Sequence, residues 1–176
     1  SRRVSLIGLR GAGKSTLGAA LAARLECPFI ELDKAVEREY GAPVSSLFEV
    51  YGPATFRRYE RECLQRIVAE NEAAVIATAG GIVADEQTFA QLLDTTHVIW
   101  LKALPADHMR RVMEQGDFRP MARNREAMAD LVAILDAREA EYGRAHAQLE
   151  TSGKAIPQCV AELERMVRGL CAASQI

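Results

Sequence analysis

The segment Gly8-Leu9-Arg10-Gly11-Ala12-Gly13-Lys14-Ser15-Thr16 fills every fixed position of the G-x-x-x-x-G-K-[ST] phosphate-binding loop. Its chemistry is polyphosphate binding. Glycines 8, 11 and 13 let the backbone wrap around an anion, and the amides there, Ala12 among them, point at phosphate oxygens beside a helix N-terminus. Lys14 is expected to bridge the outer phosphates and Ser15 to place its hydroxyl on Mg²⁺. Thr16 is expected to stabilise the loop and Arg10, inside it, to join the phosphate contacts.

A second set of reactive groups follows later in the chain. Glu31 and Asp33 are two residues apart, so they share a face if the chain is extended. Either can serve a hydrated Mg²⁺ or accept from a substrate hydroxyl, while a purely structural role makes Asp33 the cap of the next helix. Arg57, Arg58 and Arg61 sit in one helical stretch, with Arg57 and Arg61 one turn apart. Guanidinium forks suit carboxylates and phosphates. A solvated helix with Glu60 and Glu62 as ion partners is the alternative, and it is the better account of Arg58 and Arg61. Thr78-Ala79-Gly80-Gly81, after the third strand, offers bare backbone to a ligand, or simply a tight turn. Arg119 and Arg138 complete the cations that phosphoryl transfer needs.

Positioning such groups calls for a parallel α/β sheet, whose ligands lie beyond the carboxyl ends of the strands. Apolar runs at 4–7, 28–32, 73–79, 97–101 and 148–151 read as five strands. Helical patterns fall at 15–25, 34–40, 44–51, 54–71, 85–93, 105–113, 125–142 and 156–171. Strands alternating with helices predict a three-layer α/β fold with a five-stranded parallel sheet. The polar, turn-rich segment 115–124 reads as a lid between two helices.

Composition narrows the rest. The 176 residues make one domain, and a net charge of −2 with 26% charged residues gives no general nucleic-acid surface. Cysteines 27, 63, 159 and 171 and histidines 97, 108 and 146 lack zinc-ligand spacing. No apolar stretch reaches the length of a membrane span, so a cytoplasmic location without a membrane partner is expected. The start at Ser1 without methionine suggests a piece of a longer protein.

Taken together, these positions resemble the shikimate kinases over essentially the whole chain. The phosphate loop matches, as do Asp33, Phe56-Arg57 with Glu60, Gly80-Gly81, Arg119-Pro120, and Arg138 with Tyr142. Arg111 corresponds to the family's adenine-stacking arginine, with one residue inserted before the lid. The resemblance implies a P-loop kinase fold that uses ATP and Mg²⁺ to phosphorylate a hydroxyl of shikimate. Lys14, Arg119 and the ion stabilise the transferring group, Asp33 orients or deprotonates the nucleophile, and Arg57 holds the substrate carboxylate. Two departures fall on this chemistry: Glu31 replaces the first aspartate of an Asp-x-Asp motif, and Ala79 replaces the first glycine of a triple-glycine loop.

A closer resemblance is to the carboxy-terminal domain of benzoyl-CoA-responsive transcription regulators. It rests on Arg10, Tyr51-Gly52, the segment 56–61 and the blocks 115–122 and 126–128. It implies a domain that senses an aromatic acyl-CoA, with the acyl group near Phe48 and Phe56, and DNA contacted only through an amino-terminal helix-turn-helix domain of the XRE type. Effector-driven closure of the lid would change the pose or oligomer geometry of the protein, with a homodimer as the expected assembly.

Overall fold

The computed structural model describes residues 2–114 and 121–174, and the side chains of all of these except 111–113 and 121–125. Five strands form one sheet: β1 (Arg2–Ile7), β2 (Phe29–Glu31), β3 (Ala73–Ala77), β4 (His97–Lys102) and β5 (Ala147–Glu150). All neighbours pair in parallel, in the order β2-β3-β1-β4-β5. The expected five-stranded parallel sheet is present.

The central strands are apolar on both sides because helices cover both faces. Val4 and Leu6 of β1, Val75 of β3 and Ile99 and Leu101 of β4 point towards α1 (Lys14–Leu25) and α7 (Ile156–Ala173), packing on Leu17, Leu21, Val160 and Leu163. Ile7, Ile76, Val98 and Trp100 point the other way. They meet α2 (Leu32–Tyr40), α3 (Val44–Glu70), α4 (Glu86–Thr95) and Tyr142 of α6 (Met121–Tyr142) through Val36, Phe56, Leu64 and Phe89. The period of two along each strand thus divides one sheet between two cores. Ser5, a buried polar residue of β1, has Thr96 Oγ1 2.8 Å from its own hydroxyl, so its burial leaves no orphan.

Several boundaries differ from the sequence expectation. The stretches 44–51 and 54–71 are two arms of α3, bent at Gly52 (φ 81°, ψ 168°) just before Pro53, whose ring disfavours the helical conformation in the residue ahead of it. β3 stops at Ala77, two residues early, and a single 3₁₀ turn at Ile82–Ala84 follows. α6 begins at Met121, so the carboxyl end of the expected lid is helical. Its remainder, residues 115–120, lies outside the described residues, and α5 (Pro105–Glu114) leads into it. Among the described residues no helix is long and apolar enough to cross a membrane.

Candidate active site

β1 is flanked by β3 on one side and β4 on the other, so the loop leaving its carboxyl end emerges where the chain's winding reverses. That loop is the phosphate-binding segment. Gly8 has φ 146°, and a Cβ there would fall 2.7 Å from Leu101 O, so the strand-to-loop bend accepts no side chain. Gly13 (φ 96°) ends the loop in the left-handed region and starts α1, leaving the first amides of that helix free of a side-chain cap.

Lys14 folds back over this loop. Its Nζ donates to Gly8 O and to Leu9 O, the latter at 3.0 Å. Burial by the surrounding backbone lowers its pKa to about 8, and Arg138 adds to that, while Asp33 opposes it. Ser15, exposed at the loop's end, donates from Oγ to Glu31 Oε1 at 2.6 Å. Arg10 and Thr16 are both exposed. With Gly11, Ala12 and Gly13, Thr16 lines a cavity of ≈ 310 Å³ that Thr151, Lys154 and Ile156 also line.

Glu31 ends β2, paired with Ala77 of β3, and Asp33 follows within the first turn of α2. The cap position belongs to Glu31, and no side chain caps the helix, so the capping account of Asp33 is set aside. Asp33 Oδ1 is buried with no hydrogen-bond partner. Its pKa is raised, first by burial and then by Glu37, against the pull of Lys14 and Arg57; Glu31 adds a smaller push upward. Lys14, Ser15, Glu31, Asp33 and Glu37 line one cavity of ≈ 210 Å³ with Thr78 at its back.

On the opposite wall Arg57 donates from Nη1 to Glu60 Oε1 at 2.9 Å and from Nη2 to Gly81 O at 3.3 Å. Glu60 is 1% exposed and its second oxygen has no hydrogen-bond partner. Burial holds its carboxyl above the usual range, and the Arg57 guanidinium works against that shift. Arg138 donates to Gly80 O at 3.1 Å, and Tyr142 Oη donates to the same oxygen at 2.7 Å. Tyr142 is wholly buried and stacks on Trp100 at 5.4 Å. A Cβ on Gly81 would lie 3.5 Å from Arg57 Nη2 and 4.0 Å from Arg138 Nη2, so the two guanidiniums converge there. Asp33 and Arg138 act on Lys14, and Lys14 and Arg57 act on Asp33, so charges from four separate elements meet here.

The expected alternative for the arginine helix divides by residue. Arg61 is committed to Asp85 at 2.8 Å at the rim of the cavity that Arg57 and Phe48 line, and Arg58 reaches Glu62 at 3.9 Å. Glu60, however, partners Arg57, the arginine of the site. Phe56 is buried and Phe48 is 41% exposed, with ring centroids 5.7 Å apart, edge to face. Arg119 lies outside the described residues, as does the side chain of Arg111. The sequence reading missed Glu37, Thr151 and Lys154, while Thr78 falls in the segment it singled out after the third strand. Thr151 and Lys154 follow a strand end, and Glu37 stands one helical turn from Asp33, so the signals were present.

A glycine loop at the switch point of a five-stranded parallel sheet, facing a separate wall of cations, defines a P-loop domain of the small-molecule kinase type. The shikimate kinase family model matches residues 10–168. The chain belongs to the shikimate kinase family. It is 37% identical over 144 residues to the shikimate kinase of Nitrobacter winogradskyi, covering 82% of this chain and 66% of that protein, about two thirds of its length. The crystal structure of shikimate kinase from Bacteroides thetaiotaomicron superposes with a TM-score of 0.84 at 29% identity, covering 94% of this chain and 98% of the other. Shikimate kinase from Acinetobacter baumannii, in complex with shikimate, gives 0.81 at 27% identity over 96% and 93% of the two chains. These relatives are all named shikimate kinases. These relatives show the shikimate kinase family and not the expected closer likeness to benzoyl-CoA-responsive regulators, which rests on the sequence blocks alone.

The family uses ATP and Mg²⁺. The donors at the loop's end suit that ion: Ser15 Oγ and the carboxylates of Glu31 and Asp33 are hard oxygens, and Asp33 Oδ1 is an orphan acceptor in the same cavity.

Proposed function

We propose that the chain transfers the γ-phosphoryl group of ATP to a hydroxyl of shikimate. The observation that carries this reading is the convergence of Arg57 and Arg138 on Gly81, within electrostatic reach of Asp33 and Lys14. Two guanidiniums there suit a small carboxylate, and an unpartnered carboxylate oxygen between them and the phosphate loop suits a hydroxyl.

Lys14 leaves its two carbonyl acceptors and donates to the outer phosphates, where the loop amides hold the chain of phosphates in line. Arg57 and Arg138 fix the carboxylate of the acceptor, which orients one ring hydroxyl towards the γ-phosphorus. Asp33 accepts the hydroxyl proton as the oxygen–phosphorus bond forms and the bond from the γ-phosphorus to the bridging oxygen breaks, leaving ADP. Its raised pKa makes it a stronger base than an ordinary aspartate. Ser15 and Glu31 are the residues that would hold Mg²⁺, which would supply charge neutralisation at the phosphates. The family resemblance gives Arg119 the role of a further cation on the transferring group. The test is a coupled ADP-release assay with shikimate: shikimate-dependent turnover is expected, and saturable nucleotide binding without turnover would overturn the reading.

A second reading keeps the fold and changes the role. Glu31 and Ala79 both fall where the family's chemistry is closest to the reacting groups, and such departures suit a site that binds without transferring. In that reading residues 1–176 form the sensing domain of a regulator, an aromatic acyl-CoA places its phosphates on the glycine loop and its acyl group beside Phe48 and Phe56, and DNA is met through another domain. Calorimetric titration with benzoyl-CoA separates the two: saturable binding is expected of the regulator, and its absence alongside turnover leaves the kinase.

A further inference from the structure

Neither reading gives a task to the hydroxyl of Tyr142. The residue is wholly buried, its ring stacks on Trp100 with the planes 28° apart, and its Oη donates to Gly80 O at 2.7 Å. Burial pushes the hydroxyl pKa up, against the pull of Arg138, so it stays a donor across the neutral range. Gly80 O accepts from a second donor, Arg138 Nη1, at 3.1 Å. A carbonyl oxygen has two lone pairs, and here both are taken.

The turn that carries this oxygen is tied to the phosphate side. Thr78 donates from both N and Oγ1 to Leu6 O, at 3.3 and 2.8 Å, and a Cβ on Gly80 would stand 3.5 Å from Gly8 O and from Arg10 N. Arg138, on its long side chain, is the partner able to turn. Its Nη1 lies against Gly80 and its Nη2 against Gly81, so the guanidinium edge that would grip a carboxylate in parallel is the edge that faces the turn. A carboxylate arriving there competes with Gly80 O for Nη1. A bond to a neutral carbonyl yields readily to one with a carboxylate, provided the half-buried carbonyl is not left without a donor.

We infer that Tyr142 is a positioning residue of the acceptor wall, which keeps Gly80 O bonded while Nη1 of Arg138 changes partner to the acceptor carboxylate. The turn then holds its place against the phosphate loop, and Arg138 binds without stranding a backbone oxygen.

The inference rests on a carboxylate acceptor at these arginines, so the test reads acceptor binding and its coupling to Tyr142 separately. Wild type, Tyr142→Phe, Arg138→Ala and the double variant, each as the full chain, are titrated with shikimate by calorimetry and run in the coupled ADP-release assay. Phenylalanine retains the ring and removes the donor. Tyr142→Phe is expected to raise the shikimate Kd and KM about 5–100-fold, the consequence of an orphaned carbonyl, with kcat and the KM for ATP within twofold. In the Arg138→Ala background the same change is expected to add less than twofold, because no exchange of partner takes place there. In wild type labelled with ¹³C at glycine carbonyls, the Gly80 signal is expected to move upfield on shikimate binding, the direction of a lost hydrogen bond. Wild-type shikimate affinity in Tyr142→Phe, additive losses in the double variant, or a Gly80 signal that stays or moves downfield overturns the exchange and leaves the acceptor reading standing. Failure of the wild type to bind shikimate would instead overturn the acceptor reading, and this inference with it.

Discussion

Lys14 and Arg57 carry the same charge on two walls that both act on Asp33, and their surroundings differ. Lys14 is held by two neutral carbonyls of its own loop, while Arg57 is pinned between a carboxylate that is almost wholly buried and the carbonyl of Gly81. Hydrogen bonds to neutral carbonyls are exchanged for phosphate oxygens at little net cost, whereas a charge-assisted bond to a desolvated carboxylate is costly to break. The loop cation is thus free to follow its ligand, and the acceptor-side cation is fixed before any ligand arrives. One wall adapts and the other is preorganised.

The largest expected effect strikes the adaptable wall. Lys14→Ala removes the charge aimed at the transferring group, and kcat is expected to fall about 10²–10³-fold, the usual loss on removing one such donor. The coupled ADP-release assay measures it. Activity within a few-fold of wild type would mean that the two walls do not form one site.

The preorganised wall is tested by contrasting two arginines one helical turn apart. Arg57→Ala is expected to raise the shikimate KM about 10–100-fold, the worth of a charge-assisted hydrogen bond or two. It also strands Glu60, and breaking a buried pair from one side destabilises by about 3–5 kcal/mol. A double variant, Arg57→Ala with Glu60→Gln, should recover most of the melting temperature and none of the KM. Arg61→Ala, which frees only Asp85, is expected to leave KM within twofold. Equal effects of the two arginines on KM would dissolve the distinction.

Why one wall was readable from the sequence and the other only in part follows from the same contrast. The loop is nine consecutive residues whose geometry is local, so glycine spacing alone fixes Lys14 and Ser15. The five strands were equally legible because a sheet covered on both faces needs unbroken apolar runs. The acceptor wall is assembled from α2, α3, α6 and the turn after β3, which meet only when the strands adopt the order β2-β3-β1-β4-β5. Sequence separates Arg57 from Arg138 by eighty-one positions, and nothing local says that both point at Gly81. The pairing of Glu60 with Arg57 was hidden for a different reason. An Arg-x-x-Glu on a helix has the same spacing whether exposed or buried, and only packing decides which.

The walls also differ in how they respond to pH. Lys14 loses its charge near pH 8 in the free protein, so kcat/KM for ATP should fall above about pH 8. Bound phosphate favours the charged form, so the alkaline limb of kcat should lie higher. Asp33 must be ionised to accept a proton, and its raised pKa places the acid limb above the usual aspartate value. Glu37→Gln removes a charge that raises it, so that limb should move down while the alkaline one stays. A wild-type limb at the ordinary aspartate pKa would remove Asp33 from the role of base. Stability gives an independent reading of the same group. A carboxyl whose folded pKa is raised binds protons more tightly when folded, so stability falls as pH rises through that pKa. Asp33→Asn should therefore melt a few degrees higher than wild type at pH 7. The difference should shrink as the pH drops towards the unfolded aspartate value. A variant that melts lower at pH 7 would show that the carboxylate is stabilised by partners, contrary to its orphan oxygen.

The smallest effect belongs to Ala79, where the family pattern has glycine. Among the described residues Glu26 is the only non-glycine with positive φ, so Ala79 keeps a backbone conformation open to any L-residue. Its carbonyl accepts from Ile82 N at 3.1 Å, which starts the 3₁₀ turn and does not depend on the side chain. Its methyl is partly exposed beside the turn that receives Arg57 and Arg138. Ala79→Gly should consequently lower the shikimate KM by no more than a few-fold, with a small loss of stability from the freer unfolded chain, about 0.4–1 kcal/mol. Steady-state kinetics and a melting curve measure both. A gain of a hundredfold or more would mean that this one methyl, rather than the arrangement of cations, had been limiting the acceptor wall.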